Sequence, residues 1–287
     1  MLQRQPPELS STYFVQDRRS QAERDRLHIQ DAFITAGMGG ALSEQPDPSR
    51  FQRVLDVGCG TGGWLIELAK TSPQIALLIG VDISRTMVKD ARGQAHDSQV
   101  SDRVEFHTMD ALRMLEFPDR FFDLVNQRAG ASYLRTWDWL KLLQEYRRVS
   151  RSGGVIRVTE FGITPTSTSP ALTQLCELLV MALFQAGHLF VPQSQGITNE
   201  LARLLDLHGV QQIQTRTWTL DYRVGTPQWQ GLVEDVRIGF RTLLPFLRTW
   251  AQVPGHYEEI YQQALAEMQH PDFAATGSLL TVWGTAS

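Results

Sequence analysis

The spacing of apolar and polar positions predicts strands that alternate with helices over most of the chain. Short apolar runs rich in β-branched residues predict seven strands, at positions 54–57, 75–81, 104–108, 121–125, 155–160, 211–222 and 278–283. Apolar residues at helical spacing, with capping residues before them, predict helices at 20–36, 64–70, 84–96, 137–151, 170–186, 199–208, 226–244 and 257–269. This alternation is typical of an α/β fold with a seven-stranded, mostly parallel sheet and helices on both faces.

The most informative stretch is a glycine-rich turn between the strand at 54–57 and the helix at 64–70. It contains Gly58, Gly60 and Gly62, which have no Cβ, so the backbone can turn sharply and a ligand can approach it closely. The second predicted strand ends at Asp82, 20 residues after Gly62. A carboxylate at the tip of that strand can accept both hydroxyls of a ribose. The stretch therefore predicts a nucleoside-binding βαβ unit.

The glycine spacing alone does not identify the nucleotide. Gly58, Gly60 and Gly63 satisfy the G-x-G-x-x-G pattern of dinucleotide-binding proteins, which is a weak signal by itself. However, D-V-G-C-G-T-G followed by G-V-D-I-S resembles motifs I and II of the class I S-adenosylmethionine (SAM)-dependent methyltransferases. Asp56 belongs to this resemblance, because a nicotinamide dehydrogenase usually has an apolar residue at that position. The stretch favours SAM, and a nicotinamide oxidoreductase remains an alternative.

The resemblance continues in order over residues 50–162. The third strand ends near Asp110, the fourth passes into Asn126, and the string L-x-E-Y-x-R-V-S-R-x-G-G-V precedes the fifth. The resemblance implies a Rossmann-like fold with SAM as the cofactor. Carried over position by position, it implies a cofactor site made of Tyr13, Asp56, Gly58, Cys59, Gly60, Asp82, Ile83, Asp110, Ala111 and Asn126.

The family pattern also gives these positions their expected roles. Asp56 and the backbone of the 58–60 turn are expected around the methionine end, with the carbonyl of Asn126 near the amine. Asp82 is expected to bind the ribose hydroxyls, with Ile83 against the adenine ring. The edge of the adenine is expected to contact residues 110–111.

The N-terminal region is expected to cover the cofactor site. Ser20 and Glu23 form a capping-box pattern that opens a helix ending near Gly37. In small-molecule methyltransferases that resemble this chain, a Tyr-containing segment before that helix folds over the site, which implies the same for Tyr13. The pattern Y-x-x-x-D-x-x-S-x-x-E-x-x-R-L, over 13–27, is also distantly similar to the fungal LaeA-like regulators of secondary metabolism. We therefore expect a loose arm at 1–12, an N-terminal covering unit at 1–50 and the methyltransferase domain at 51–287.

Two helical insertions, at about 163–198 and 225–272, are expected to form a lid over the acceptor site. The helix that follows Ser169 and Pro170 is apolar on nearly every face, so it is either buried or part of an apolar pocket wall. One stripe of it is predicted to face an acceptor cavity, and its candidate residues are Leu175, Leu179, Leu183 and Phe184.

Residues that act on the acceptor are harder to predict, because a methyl on a sulfonium is already activated and a base is needed only when the acceptor must lose a proton. The main candidates are Arg128, Tyr133 and His188, with Glu160 and Tyr222 as further possibilities. The chain has N-Q-R after the fourth strand where methyltransferases of nucleobase or glutamine amino groups have N-P-P-Y or D-P-P-Y. This difference argues against those substrates.

Composition narrows the class of partner. The 287 residues are 42% hydrophobic, with a net charge of −4 and a pI of about 6.0, and no Lys/Arg-rich run predicts a nucleic-acid face. Two cysteines predict neither a disulfide framework nor a metal site. The N-terminus has no apolar signal segment and no stretch reaches membrane-spanning length, so we expect a cytoplasmic protein without a membrane partner.

Together these observations predict SAM-dependent methylation of a small, largely apolar or aromatic metabolite, on oxygen, nitrogen or carbon. An RNA or protein methyltransferase, and a SAM-binding regulator of secondary metabolism that acts through a partner, remain alternatives. The sequence does not predict the oligomeric state.

Overall fold

The computed structural model describes residues 11–17 and 19–287 of the chain. In that part the chain forms eight strands: β1 Arg53–Val57, β2 Leu77–Asp82, β3 Val104–Thr108, β4 Phe122–Arg128, β5 Ser150–Phe161, β6 Thr166–Ser167, β7 Val210–Asp221 and β8 Ala275–Ala286. The same residues form nine helices: α1 Gln21–Gly37, α2 Gly63–Thr71, α3 Arg85–Asp97, α4 Trp139–Val149, α5 Pro170–Gln185, α6 Thr198–Leu207, α7 Pro227–Thr242, α8 Leu244–Trp250 and α9 Tyr257–Met268. The first ten residues of the predicted arm lie outside the described part.

The strands form one sheet in the order β3-β2-β1-β4-β5-β8, with β7 paired to the outer edge of β8. Strands β1 to β5 are parallel, and β8 is antiparallel to both β5 and β7. The strand order reverses between β1 and β4, and a crevice at the carboxyl ends of the strands is the usual ligand site of such a sheet. The predicted α/β fold with a mostly parallel sheet is confirmed.

The sheet has one strand more than predicted in the described residues. Strand β6 contains two residues and pairs antiparallel with Thr276 and Ala275, beyond the end of the β5 pairing. Because β7 occupies the opposite edge of β8, β6 lies on the same edge as β5. Two residues are too few for a hydrophobic period, so the pattern could not predict this strand.

Helix starts follow the predicted capping residues. Ser84, Ser169 and Thr226 each accept a hydrogen bond from the backbone N–H three residues later, at the starts of α3, α5 and α7. Proline follows the cap in α5 and α7, where its missing N–H costs no helical hydrogen bond.

Some boundaries differ from the predicted ones. Gly37 is the last residue of α1, and Met38 is its C-cap. Strand β4 continues to Arg128, so the N-Q-R string belongs to the strand. The break after α7 falls at Leu243, and Pro245 lies in the first turn of α8.

Helices cover both faces of the sheet, and two buried apolar clusters lie between them and the strands. One cluster contains Trp64 and Leu65 of α2, and the other contains Leu142 and Leu143 of α4. At the carboxyl ends of the strands α1 packs on α7, while α5 packs on α8 and α9. Among the described helices, none is both long enough and apolar enough to cross a membrane.

Candidate active site

A cavity of about 590 Å³ lies at the carboxyl ends of β1, β2, β3, β4 and β5. This volume falls within the roughly 300–1,000 Å³ that is usual for small-molecule sites. Helices α1, α5 and α7 and the segment at 11–14 close the cavity on the side away from the sheet. Most of the predicted site residues contribute to its wall: Tyr13, Gly58, Gly60, Asp82, Ile83, Asp110, Ala111, Arg128, Tyr133, Glu160 and Tyr222.

The glycine turn after β1 forms one end of the cavity. Gly58 and Gly60 have positive φ angles of 70° and 52°, a conformation that side-chain-bearing residues rarely adopt. A Cβ on Gly58 would collide with the hydroxyl of Tyr133, whereas no described atom lies within 4 Å of a Cβ on Gly60. The backbone at Gly60 is therefore open to a ligand.

The tips of β2 and β3 place two carboxylates in the cavity wall. Asp82 accepts hydrogen bonds from the backbone N–H of Gly60 at 3.0 Å and of Ser84 at 2.8 Å. It therefore holds the glycine turn against the start of α3. Asp110 accepts a hydrogen bond from the N–H of Leu112 at 3.0 Å and pairs with the exposed Arg113 at 3.4 Å.

Asp56 and Asn126 lie behind the glycine turn and do not line the cavity. Asp56, Asn126 and Arg157 are direct neighbours on β1, β4 and β5, so their side chains share one face of the sheet. Asn126 donates to Asp56 and accepts from Arg157, both at 2.7 Å, and Arg157 forms a bidentate pair with Glu44. Burial raises the pKa of Asp56 to about 7, against the opposing charge of Arg128.

The amide of Asn126 therefore makes one hydrogen bond through its nitrogen and one through its oxygen inside the sheet, away from the cavity wall. Cys59 is also outside the cavity wall, and its sulfur faces Gly80 on β2. Burial raises the pKa of this thiol well above its usual value. The cofactor roles of these residues stay predictions, and the geometry makes them supporting positions.

Arg128 lies in the cavity wall at the end of β4, where it joins α1 to the sheet. Its guanidinium pairs with Asp31 and donates to Thr35 Oγ1 at 3.2 Å. The same group lies 5.9 Å from the ring centroid of Trp64. Asp31 balances the charge of Arg128. The main contact of Arg128 in this structure is therefore the link between α1 and the sheet.

The segment before α1 crosses the mouth of the cavity. Phe14 N–H donates to the carbonyl of Ser132 at 3.0 Å, and Thr12 donates to the carbonyl of Tyr133. Tyr13 lines the cavity, stacks on Phe14 and donates to Glu23 at 2.6 Å. These contacts hold Tyr13 in the cavity wall, and its role at the cofactor stays a prediction.

The capping box predicted at the start of α1 is only half formed. Ser20 accepts a hydrogen bond from the N–H of Glu23 at 3.4 Å. The carboxylate of Glu23 is fully buried and bonds to Tyr13 and Arg26 instead of returning to Ser20. The Glu23 side chain therefore takes part in tertiary contacts and does not complete the capping box.

Glu160, at the end of β5, is a fully buried carboxylate in the cavity wall. It accepts hydrogen bonds from the N–H groups of Gly130 at 2.6 Å and Ala131 at 3.2 Å, and from the amide of Gln127 at 3.2 Å. Burial raises the pKa of Glu160 to about 8 against these hydrogen bonds. Glu160 thereby holds the 3₁₀ turn Gly130–Ser132, and with it Tyr133, beside the glycine turn.

His188 and Tyr222 have different surroundings. His188 is buried, packs edge-on against Phe246 and does not line the cavity, so the structure does not place it where an acceptor would bind. Burial lowers the pKa of His188 to about 4, with a further lowering by Arg135. Tyr222 lines the cavity and packs edge-on against Phe33.

An apolar region forms the other end of the cavity. On α5 it includes Leu172, Cys176, Leu179 and Leu183, spaced by three and four residues as one helical stripe. Of the predicted stripe, Leu179 and Leu183 are therefore in the wall, whereas Leu175 and Phe184 are not. The facing part of α7 adds the apolar residues Leu232, Val236 and Phe240.

The sequence did not predict a cluster of three polar side chains that lies in this region. Arg26 and Gln30 of α1 and Asp235 of α7 all line the cavity. Arg26 pairs with Asp235 at 2.8 Å, and Gln30 donates to the same oxygen at 3.1 Å. Arg26 and Asp235 are 209 positions apart, so no local pattern in the sequence connects them.

A family model described as a methyltransferase domain matches residues 54–154. Over 182 residues the chain is 30% identical to a demethylmenaquinone methyltransferase of Staphylococcus saprophyticus, covering 58% of this chain and 73% of that one. The chain belongs to the SAM-dependent methyltransferase family. The cofactor of this family is SAM, which decides against the nicotinamide alternative.

Further comparisons agree on fold and family. The chain is 25% identical to tocopherol O-methyltransferase of Arabidopsis thaliana, over 80% of this chain and 66% of that one. Three other curated relatives are matched over 40%, 58% and 52% of their own length. Phosphoethanolamine N-methyltransferase 2 of Haemonchus contortus, solved with SAM, shares the fold with a TM-score of 0.59 at 17% identity, covering 99% of this chain and 62% of that one.

The residues present fit SAM. The open backbone at Gly60 leaves space where a side chain would stand, and Asp82 and Asp110 present carboxylates to the same cavity. The cavity continues from there to the apolar region on α5 and α7. In the part of the chain that the structure describes, no group of three or more His, Cys, Asp or Glu side chains could hold a metal ion.

Proposed function

We propose that this chain transfers the methyl group of SAM to a small, largely apolar or aromatic acceptor bound between α5 and α7. The observation that carries the proposal is the continuity of the cavity. Its one end has the glycine turn and the two carboxylates, and its other end has the apolar stripe of α5. Two relatives are named for small molecules, tocopherol and demethylmenaquinone, which supports an acceptor of this class.

In the cofactor half, Asp82 would bind the ribose hydroxyls and Ile83 would lie against the adenine, and both residues line the cavity. Asp110 and the backbone of Ala111 would bind the adenine edge, and the turn at Gly58 and Gly60 would adjoin the methionine part. SAM supplies a methyl group that is already activated by its sulfonium charge.

The protein's own contribution is to hold the reactants in line and to exclude water. The segment at 11–14, α1, α5 and α7 close the cavity from the side away from the sheet. Tyr133 and Arg128 lie in the wall and are the candidates for contact with the acceptor, together with Glu160 and Tyr222. We do not include His188, because it lies outside the wall.

The test is a transfer assay with methyl-tritiated SAM and three acceptor classes: small aromatic and apolar compounds, RNA, and protein. Label in a small compound, lost in the Asp82→Ala variant, would support the proposal. Label that enters only RNA or protein would overturn it. A role in secondary metabolism stays a prediction until the acceptor is known.

A further inference from the structure

Asp235 is a carboxylate in the part of the cavity that the apolar residues of α5 and α7 line. Its Oδ1 accepts hydrogen bonds from Arg26 and Gln30, at 2.8 and 3.1 Å. Its Oδ2 accepts none from any residue that the structure describes. The side chain is 21% exposed and lines the cavity, so this oxygen is accessible from inside.

The charges around Asp235 do not cancel. Arg26 also forms a bidentate pair with Glu23, at 2.7 and 2.8 Å, so one guanidinium serves two carboxylates. Tyr13 adds no charge, and it contacts Glu23 and Arg26 on the other side. With both acids ionised, the cluster carries a net charge of −1, and burial raises the pKa of Asp235 against the opposing charge of Arg26.

Asp235 faces the same space as the apolar stripe of α5. Burial, and after it the charge of Asp235, raises the pKa of both the Cys176 thiol and the Tyr222 hydroxyl. Both side chains line the cavity together with Asp235, close enough for its charge to act on them. Its neighbours Leu232 and Val236 on α7 are also in the wall.

Because Oδ2 is open to the cavity, a hydrogen-bond donor on a bound ligand can reach it, whereas a ligand without a donor would bury this oxygen without a partner, which costs free energy. Because the surrounding wall is apolar, the body of such a ligand must be apolar as well. We propose that Asp235 binds a hydroxyl group of the methyl acceptor and thereby orients an apolar molecule along α5. This inference rests on the proposed function and adds the polar group that the acceptor must carry.

A purely structural role for Asp235 is the competing explanation, since the pair with Arg26 also joins α7 to α1. The two explanations differ in one property. An anchoring carboxylate distinguishes ligands that differ only in a hydroxyl, whereas a structural ion pair does not.

The experiment uses the full chain saturated with S-adenosylhomocysteine and three probes of similar size: 2-naphthol, 2-methoxynaphthalene and 2-naphthylmethylamine. Calorimetry should give at least about tenfold tighter binding of 2-naphthol than of its methyl ether, as expected for one hydrogen bond to a charged group. In Asp235→Asn this difference should fall to about threefold or less. Glu234→Gln is the matched control, since Glu234 is the neighbouring acid on α7, pairs with the exposed Arg237 and does not line the cavity, and it should keep the difference.

Equal binding of the two naphthalenes by the wild type, absence of 2-naphthol binding, or an unchanged difference in Asp235→Asn would overturn the inference. Tighter binding of the cationic amine than of 2-naphthol would show that Asp235 binds a cation and would also overturn it. If Asp235→Asn does not fold, a crystal structure of the wild type with 2-naphthol decides by the distance from the hydroxyl to Asp235. Methyl transfer from SAM with no dependence on Asp235 would reject this inference and leave the proposed function standing.

Discussion

Asp82 both accepts a hydrogen bond from the glycine turn and lines the cofactor half of the cavity. Asp82→Ala should weaken SAM binding by about two orders of magnitude or more, since hydrogen bonds to a charged group contribute about 1.5–3 kcal/mol each. Calorimetry with SAM measures the loss. Asp97→Ala, at the exposed end of α3, is the control and should bind SAM as the wild type does.

Asp110→Ala should weaken SAM binding less than Asp82→Ala does. Only one side-chain contact to the adenine would be lost, and the backbone contact of Ala111 would remain. The same titration compares the two variants. If Asp110→Ala caused the larger loss, the adenine would be bound in another way than the family pattern implies.

His188 should affect the pH dependence of stability. Its pKa is lowered to about 4 by burial, so between about pH 6.5 and 4 the unfolded chain binds a proton that the folded chain does not. The free energy of unfolding therefore falls as the pH decreases through this window, by up to about 3 kcal/mol from this residue. His188→Leu should make the fall smaller, as measured by urea unfolding at pH 4 to 7.

The control is His256→Leu, which changes an exposed histidine before α9 and should keep the wild-type slope. His188→Leu should also retain methyl transfer, because the imidazole lies outside the cavity wall. If His188→Leu folds normally but no longer transfers the methyl group, His188 belongs to the active site after all.

At the residue scale, the sequence predicted the positions that local rules fix. Asp82 and Asp110 follow strand ends, and the parallel sheet brings such ends to one edge, so both reach the cavity. The family pattern also predicted Asn126 as a cofactor-site residue. Its side chain, however, accepts a hydrogen bond from Arg157, which is 31 positions away. Partners at such separations depend on strand register, which the sequence pattern does not reveal.

At the scale of the elements, helix α5 has some residues that line the cavity and others that pack only in the core. Leu179 lines the cavity and is half-buried, whereas Leu175 is fully buried away from it. Leu179→Ala should weaken 2-naphthol binding by about tenfold, for the apolar contact that is lost. Leu175→Ala should lower the free energy of unfolding by about 2–5 kcal/mol and leave the affinity of the folded protein nearly unchanged.

Calorimetry in the presence of S-adenosylhomocysteine and urea unfolding distinguish the two variants. A similar affinity loss in both would place the bound probe elsewhere than along the α5 stripe. The apolar character of α5 predicted a helix that is buried or lines a pocket, although Met181 on this helix is exposed. It could not predict which face meets the cavity, because α8 and α9, which pack on this helix, are distant in sequence.

On the scale of the whole molecule, the cavity lies between the sheet and a covering layer, which consists of the segment at 11–17 and helices α1, α5 and α7. The backbone bond from Phe14 to Ser132 and the pair of Arg128 with Asp31 connect the segment at 11–17 and α1 to the strand ends. Arg26 and Asp235 connect α1 to α7 within that layer. The sequence predicted the sheet by its period, but contacts that are more than 90 positions apart could not be derived from it.

The position of the cavity under the covering layer predicts which parts of the protein the cofactor stabilises. SAM at 100 times its dissociation constant stabilises the folded chain by about 2.7 kcal/mol. The covering layer should gain protection from local opening as well, because the ligand contacts it from inside. Hydrogen exchange followed by mass spectrometry should therefore slow on SAM addition in residues 11–17, in α1 and at the ends of β2 and β3. Helix α6, which packs on β7 and β8, is the internal control and should change much less. Unchanged exchange at 11–17 and α1, with SAM bound, would show that this layer does not cover the cofactor.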